Sequence, residues 1–123
     1  MMPWPHTSIK MTEQFGLKPD VIEKIHTVFA SFESIDVAIL YGSRAKGNYK
    51  TGSDIDLTLK TQGTLPHGFL PNVANAIDDL DLIYSFDISL FQQINNDNLL
   101  EHIDRVGVEF YNAKEYAHNL ENH

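Results

Sequence analysis

The chain contains no cysteine, so disulfides, thiolate metal sites and cysteine nucleophiles are all excluded. It has no apolar run long enough to span a bilayer, and Met1 to Lys10, broken by Pro3 and Pro5, lacks the apolar core of a signal peptide. Cytoplasmic residence without membrane attachment is therefore the expectation. Basic residues are scarce at one end: residues 78–123 hold two against ten acidic ones, whereas residues 1–77 hold seven of each, so the net charge of −8 lies in the C-terminal part. A surface of that sign repels phosphate backbones, which argues against autonomous nucleic-acid binding and favours a basic protein partner. The same charge also serves solubility.

What is present is enough for an ordered globule. The chain's 123 residues fit one domain, and a hydrophobic fraction of 42% with regular apolar patterning is above what disordered segments carry. Residues 1–18 have no sustained periodicity and read as an N-terminal arm with loose contacts. Pro19 then opens a helix expected over 19–33, with Asp20 and Glu23 in its first turn and Val21, Ile22, Ile25, Val28, Phe29 and Phe32 on one face.

Residues 35–41 (IDVAILY) predict a buried strand ending in a sharp turn at Gly42. After the loop RAKGNYKTGS, residues 54–60 alternate strictly, Asp54, Asp56 and Thr58 on one face against Ile55, Leu57 and Leu59 on the other. A helix is expected over 70–82, then a strand over 83–90 with Phe86, Ile88 and Leu90 inward and Asp87 and Ser89 outward. A short helix capped by Asp97 or Asn98 carries Leu99, Leu100, Ile103 and Val106 and closes near Gly107. Val108 to Tyr111 suit a short edge strand, followed by a frayed C-terminal helix. The order of elements predicts an α/β domain over 19–123, a small mixed β-sheet flanked by helices.

The residues with a chemical signature are Gly42-Ser43, ten residues, then Asp54-Ile55-Asp56. A glycine lets backbone approach a phosphate closely, and a serine opening a helix adds a hydroxyl and N–H donors at the positive end of its dipole. Arg44, Lys46 and Lys50 form the only dense basic cluster and suit the neutralising of phosphate charge. Two aspartates at i and i+2 of a strand share a face, where their mutual repulsion calls for cations. Hard oxygen donors of this kind suit Mg²⁺, with Mn²⁺ as the other candidate, and two such ions polarise a phosphate, lower an acceptor hydroxyl's pKa and stabilise the leaving pyrophosphate. Asp87 is the leading candidate for a third carboxylate, because its strand, paired beside 54–60, would bring all three together. Asp78, Asp79 and Asp81 remain alternatives at a helix end. The six histidines, at 6, 26, 67, 102, 118 and 123, have no paired ligand spacing and read as surface or capping residues. Trp4, Tyr41 and Phe91 read as packing residues.

On these residues, together with FDISLF and NLLEHIDRVGVEFY, the chain resembles the polymerase-β-like nucleotidyltransferase superfamily over about residues 19–112, and within it the minimal nucleotidyltransferases that act as antitoxins in HEPN/MNT toxin–antitoxin pairs. The resemblance implies that fold, with Gly42 and Ser43 binding a triphosphate beside Arg44, and Asp54, Asp56 and Asp87 as the catalytic, metal-binding carboxylates for two Mg²⁺ ions. It also implies transfer of AMP from ATP to a tyrosine hydroxyl of a HEPN-type toxin, which silences that partner. Two other readings stay open: a stoichiometric binding module without catalysis, and transfer to a small molecule, for which the chain lacks an evident acceptor-binding domain. Base preference and oligomeric state, homo- or hetero-oligomeric, are left undetermined.

Overall fold

A computed structural model of the chain describes residues 13–121. Its elements are α1 (Pro19–Ala30), β1 (Ile35–Tyr41), α2 (Ser43–Lys46), β2 (Ile55–Thr61), α3 (Phe69–Asp78), β3 (Phe86–Leu90), a 3₁₀ turn (Phe91–Gln93), α4 (Asp97–Val106), β4 (Val108–Asn112) and α5 (Ala113–Glu121). The strands form one sheet in the order β3-β2-β1-β4; β1 runs antiparallel to β2 and β4, and β2 parallel to β3. This is the small mixed sheet flanked by helices that the alternation of patterns predicts, with β4 as an edge. No helix among the described residues is long and apolar enough to cross a membrane.

One sheet face carries the main core. Ala38 and Leu40 of β1 and Ile55, Leu57 and Leu59 of β2 are fully buried with Ile25 and Phe29 of α1 and Val73 of α3. Fully burying an aliphatic side chain of this size contributes about 1.5–3 kcal/mol, so the period-2 pattern of β2 alone sets which way that strand faces. The opposite face was expected to be solvent-exposed. Instead α4 lies across part of it, and Thr58, flanked by Ile39 on β1 and Ser89 on β3, is fully buried, its Oγ1 accepting the Ser89 hydroxyl at 3.0 Å. The end of this face beside Gly42 stays open.

The element boundaries differ from expectation for local reasons. Helix α1 stops at Ala30 because the chain tightens there, the Ser31 and Phe32 N–H groups donating to Val28 and Phe29 carbonyls. Helix α3 stops at Asp78, and Asp81 takes a left-handed conformation (φ 56°), so 79–85 form a loop in which Ile83 is 92% exposed rather than in a strand. Helix α4 is capped by Asn96, not Asp97 or Asn98: its Oδ1 accepts the Leu99 N–H at 3.1 Å, the N3 amide a cap side chain reaches. Gly107 closes α4 in extended backbone, where a Cβ would meet the Ile103 carbonyl and the Ile39 side chain.

Residues 13–18 are not loose. Gln14 and Leu17 exchange two backbone hydrogen bonds, and Leu17 is fully buried in the core. The part of the N-terminal arm before residue 13 lies outside the described residues.

Candidate active site

Strand β1 ends at Tyr41, and the chain reverses through Gly42 into the single helical turn of α2. Gly42 has φ 78° and ψ −158°, a region essentially closed to side-chain-bearing residues. It is also approached closely: a Cβ there would fall on Asp56 Oδ2. The glycine of the motif thus serves both the turn and the carboxylate beside it. Ser43 opens α2, and its hydroxyl has no hydrogen-bond partner among the described residues.

The parallel register of β2 and β3 sets Asp56 beside Asp87, and antiparallel pairing sets Tyr41 on the other side of Asp56, so Tyr41, Asp56 and Asp87 form one row across the open end of the face. Asp54 immediately precedes the observed β2 and is exposed, as is Asp87, whereas Asp56 is half-buried. Burial, then the charges of Asp87 and Asp54, push the Asp56 carboxyl above the ordinary carboxylate range, with His102 opposing. Burial likewise raises the Tyr41 phenol, reinforced by Asp87 and Asp56 and opposed by a hydrogen bond with Ser89. Both shifts record burial first and, after it, negative charge gathered at one place.

Among the described residues, no three His, Asp or Glu side chains stand close enough to enclose a metal ion. The donor set nevertheless fits Mg²⁺ in kind. All the groups are carboxylate oxygens, and one of them is held against its like-charged neighbours by the fold, an arrangement that a divalent cation relieves. Mg²⁺ keeps several waters and takes only one or two carboxylates plus substrate phosphates, so a closed protein cage is not required. Asp78, Asp79 and Asp81, the alternative carboxylates, lie at the end of α3 and in the turn after it; none appears among the charges that shift Asp56.

Arg44, a candidate for neutralising phosphate charge, is buried behind the turn. It is 3% exposed, and its guanidinium donates to the Ser53 carbonyl from Nε (3.2 Å) and Nη2 (2.9 Å) and to the Phe15 carbonyl from Nη1 (2.8 Å). The rings of Tyr49 and Tyr84 stand 5.3 and 5.2 Å from its central carbon. Arg44 therefore ties the N-terminal segment, the loop after α2 and the loop before β3 to the turn, using the planar fork and aromatic stacking that lysine lacks. Lys46 and Lys50 are the exposed cations of the cluster. Arg44→Lys is expected to lower unfolding stability by about 1.5–3 kcal/mol, since a buried cation loses its charge-assisted partners. Urea unfolding with limited proteolysis checks this; cleavage should appear first between Gly47 and Ser53, and an unchanged midpoint would remove Arg44 from this role.

One participant has no counterpart among the sequence-derived site residues. His102 of α4 accepts the Gly42 N–H at its Nε2 (3.2 Å), with its ring edge-on to Tyr41 at 6.2 Å. The available signal was its position three residues after Leu99 and four before Val106, at the edge of the apolar stripe. His26, read as a surface or capping residue, instead joins α1 to β4, donating to the Phe110 carbonyl at 2.7 Å. A separate groove of about 410 Å³ lies farther along the same sheet face, between Lys60, Phe91 and α4, and contains none of the site residues.

A glycine-serine turn after the first strand, with carboxylates from the two adjacent strands beside it, defines a domain of the nucleotidyltransferase class. The chain belongs to the family described as polymerase beta, nucleotidyltransferase, whose model matches residues 23–116. Solved structures agree on the fold. A toxin–antitoxin complex with AMP-PNP is 19% identical with a TM-score of 0.60, covering 76% of this chain and 75% of that one. A complex of tri-AMPylated Shewanella oneidensis HEPN toxin with MNT antitoxin is 15% identical with a TM-score of 0.54, covering 80% and 75%. A putative nucleotidyltransferase from Sulfolobus solfataricus is 19% identical with a TM-score of 0.51, covering 93% and 95%. No curated protein matches the sequence.

Proposed function

We propose that this chain transfers AMP from ATP to a hydroxyl, of a tyrosine, on a HEPN-type toxin, and so acts as that partner's antitoxin. The observation that carries the proposal is the juxtaposition of Asp56 with Asp87 on one side and with the Gly42-Ser43 turn on the other. Likeness to a nucleotide-bound toxin–antitoxin complex and to an AMPylated HEPN toxin with its antitoxin supports the choice of nucleotide and acceptor.

In this reading Gly42 admits the triphosphate close to the backbone, and the Ser43 hydroxyl with the first amides of α2 hydrogen-bonds its oxygens. Lys46 and Lys50 neutralise phosphate charge from the exposed side, while Arg44 holds the loop that carries Lys50 and adds its charge from behind. Asp54, Asp56 and Asp87 would hold Mg²⁺ (two ions in the full arrangement, with Mn²⁺ able to substitute), which would supply polarisation of the α-phosphate and stabilisation of the departing pyrophosphate. Asp87, exposed at the edge of the row, meets the incoming hydroxyl and receives its proton as the oxygen–phosphorus bond forms and the bond to pyrophosphate breaks.

The acceptor supplies the remaining wall of the site. Ten acidic against two basic residues in 78–123 would steer a basic partner toward it and disfavour free nucleic acid. Incubating the chain with its co-encoded partner, Mg²⁺ and ATP is expected to give a partner heavier by one or more AMP units in intact-mass spectrometry. A partner that is inhibited yet unmodified, and equally so by Asp56→Asn, would establish a stoichiometric binding module instead.

A further inference from the structure

We infer that His102 is a positioning residue for the triphosphate-binding turn, holding the Gly42 amide so that the turn meets the nucleotide already shaped; this rests on the transferase reading above. Three elements converge on Gly42. The Asp56 carboxylate from β2 presses against it from one side, Tyr41 leads into it from β1, and His102 reaches it from α4, sixty residues further along the chain. The Gly42 N–H donates to Nε2 of His102 at 3.2 Å, so the imidazole carries its lone pair there and its proton on Nδ1. The ring is fixed in turn by its edge-on contact with Tyr41, at 6.2 Å and 82° between planes.

The turn needs such a support. Gly42 has no side chain to pack, and glycine loses more conformational freedom on being fixed than any other residue. Its backbone conformation, φ 78° and ψ −158°, is outside any regular element; its carbonyl accepts the Lys46 N–H that opens α2, and its own N–H is held by His102. The hydrogen bond to His102 defines the orientation of the peptide plane between Tyr41 and Gly42, through which β1 enters the turn. It also sorts the donors: the Gly42 amide is committed to α4, while the Ser43 hydroxyl and the amides that follow stay available to phosphate oxygens. Without His102 the turn would sample other conformations, and nucleotide affinity would fall by the fraction of molecules in the competent one. Helix α4 thereby becomes part of the site through His102.

Two variants of the full chain separate the acceptor from the ring. His102→Phe keeps an aromatic edge against Tyr41 but cannot accept the amide, and His102→Gln places Oε1 where Nε2 stood without the ring. Titrating MgATP into the ¹⁵N-labelled chain, without partner, should show affinity about five- to tenfold weaker for His102→Phe and within about twofold of wild type for His102→Gln, as loss and retention of one hydrogen bond predict. The Gly42 amide should shift, and exchange its hydrogen faster, in the Phe variant only. With partner present, the Phe variant should raise the KM for ATP by the same factor and leave kcat within about twofold. A folded Phe variant that binds ATP like wild type would overturn the inference, and so would a Gln variant as weak as the Phe one. If the Phe variant does not fold, the Gln variant decides alone: wild-type affinity supports the acceptor role and weakened affinity overturns it. A wild-type chain that binds no MgATP would bring down the transferase reading and this inference together, whereas wild-type binding with an unaffected Phe variant removes His102 only.

Discussion

Asp56→Asn is expected to lower kcat/KM for AMP transfer by about a thousandfold or more, because the several kcal/mol supplied by ions at the phosphate depend on this carboxylate. The fold should persist, since the amide is nearly isosteric and Asp56 makes no ion pair among the described residues whose loss would strand a partner. The variant should even be the more heat-stable of the two at neutral pH without metal. The Asp56 carboxyl is raised above its ordinary range by burial and by Asp87 and Asp54, so its favourable contribution is complete below the unfolded-state value of about 4 and is lost as pH rises through the folded-state value. Wild type should therefore lose stability relative to Asp56→Asn between mildly acidic and neutral pH, and the two should converge below the ordinary carboxylate range. Mg²⁺ with ATP should raise the wild-type Tm and move that of the variant much less. Scanning calorimetry at several pH values, paired with the transfer assay, checks each part. Retained transfer would sink the assignment of Asp56, and a variant less stable than wild type at neutral pH would sink the account of charge crowding.

Gly42→Ala is expected to damage both stability and activity. Alanine at φ 78° and ψ −158° costs about 1–3 kcal/mol of backbone strain, which for a domain of this size lowers Tm by roughly 5–15 °C. The added Cβ would also occupy the space of Asp56 Oδ2, so the carboxylate must turn away from the position in which it faces Asp87 and the turn. Displacement on this scale costs about a hundredfold in rate. Gly47→Ala separates the two causes: Gly47 also has positive φ, 88°, yet a Cβ there meets nothing within 4 Å. That control should lose some stability and keep its transfer activity. Equal activity losses in both variants would mean that strain, rather than contact with Asp56, governs the turn.

Legibility differed from place to place along the chain. Strand β1 was expected over 35–41 and is found there, because β-branched and aromatic residues ending at a glycine leave one reading. The row of carboxylates was legible through period 2: the alternation in 54–60 and 83–90 put Asp56 and Asp87 on outward phases, and the core face selects that register. Helix ends were less legible, since Ser31, Asp79 and Asn96 compete with neighbours of similar capping or breaking character. Arg44 shows the limit most plainly. Its place after Gly42-Ser43 suggests a phosphate contact, but whether a cation faces solvent or main-chain carbonyls depends on where Phe15, Ser53, Tyr49 and Tyr84 are brought.

The turn at Gly42-Ser43, the two strand faces and the outward carboxylates follow from local pattern, because each rests on spacing within a few residues and on the periods of strand and helix. Tertiary structure alone decided what meets across the sheet. The parallel pairing of β2 with β3 brought Asp87 to Asp56, the packing of α4 on β1 delivered His102 to Gly42, and the burial of Leu17 and the Phe15 carbonyl drew the segment before α1 into the domain. These contacts join residues tens of positions apart, and their energies come from burial and hydrogen bonds that exist only once the sheet has assembled, so no local pattern encodes them.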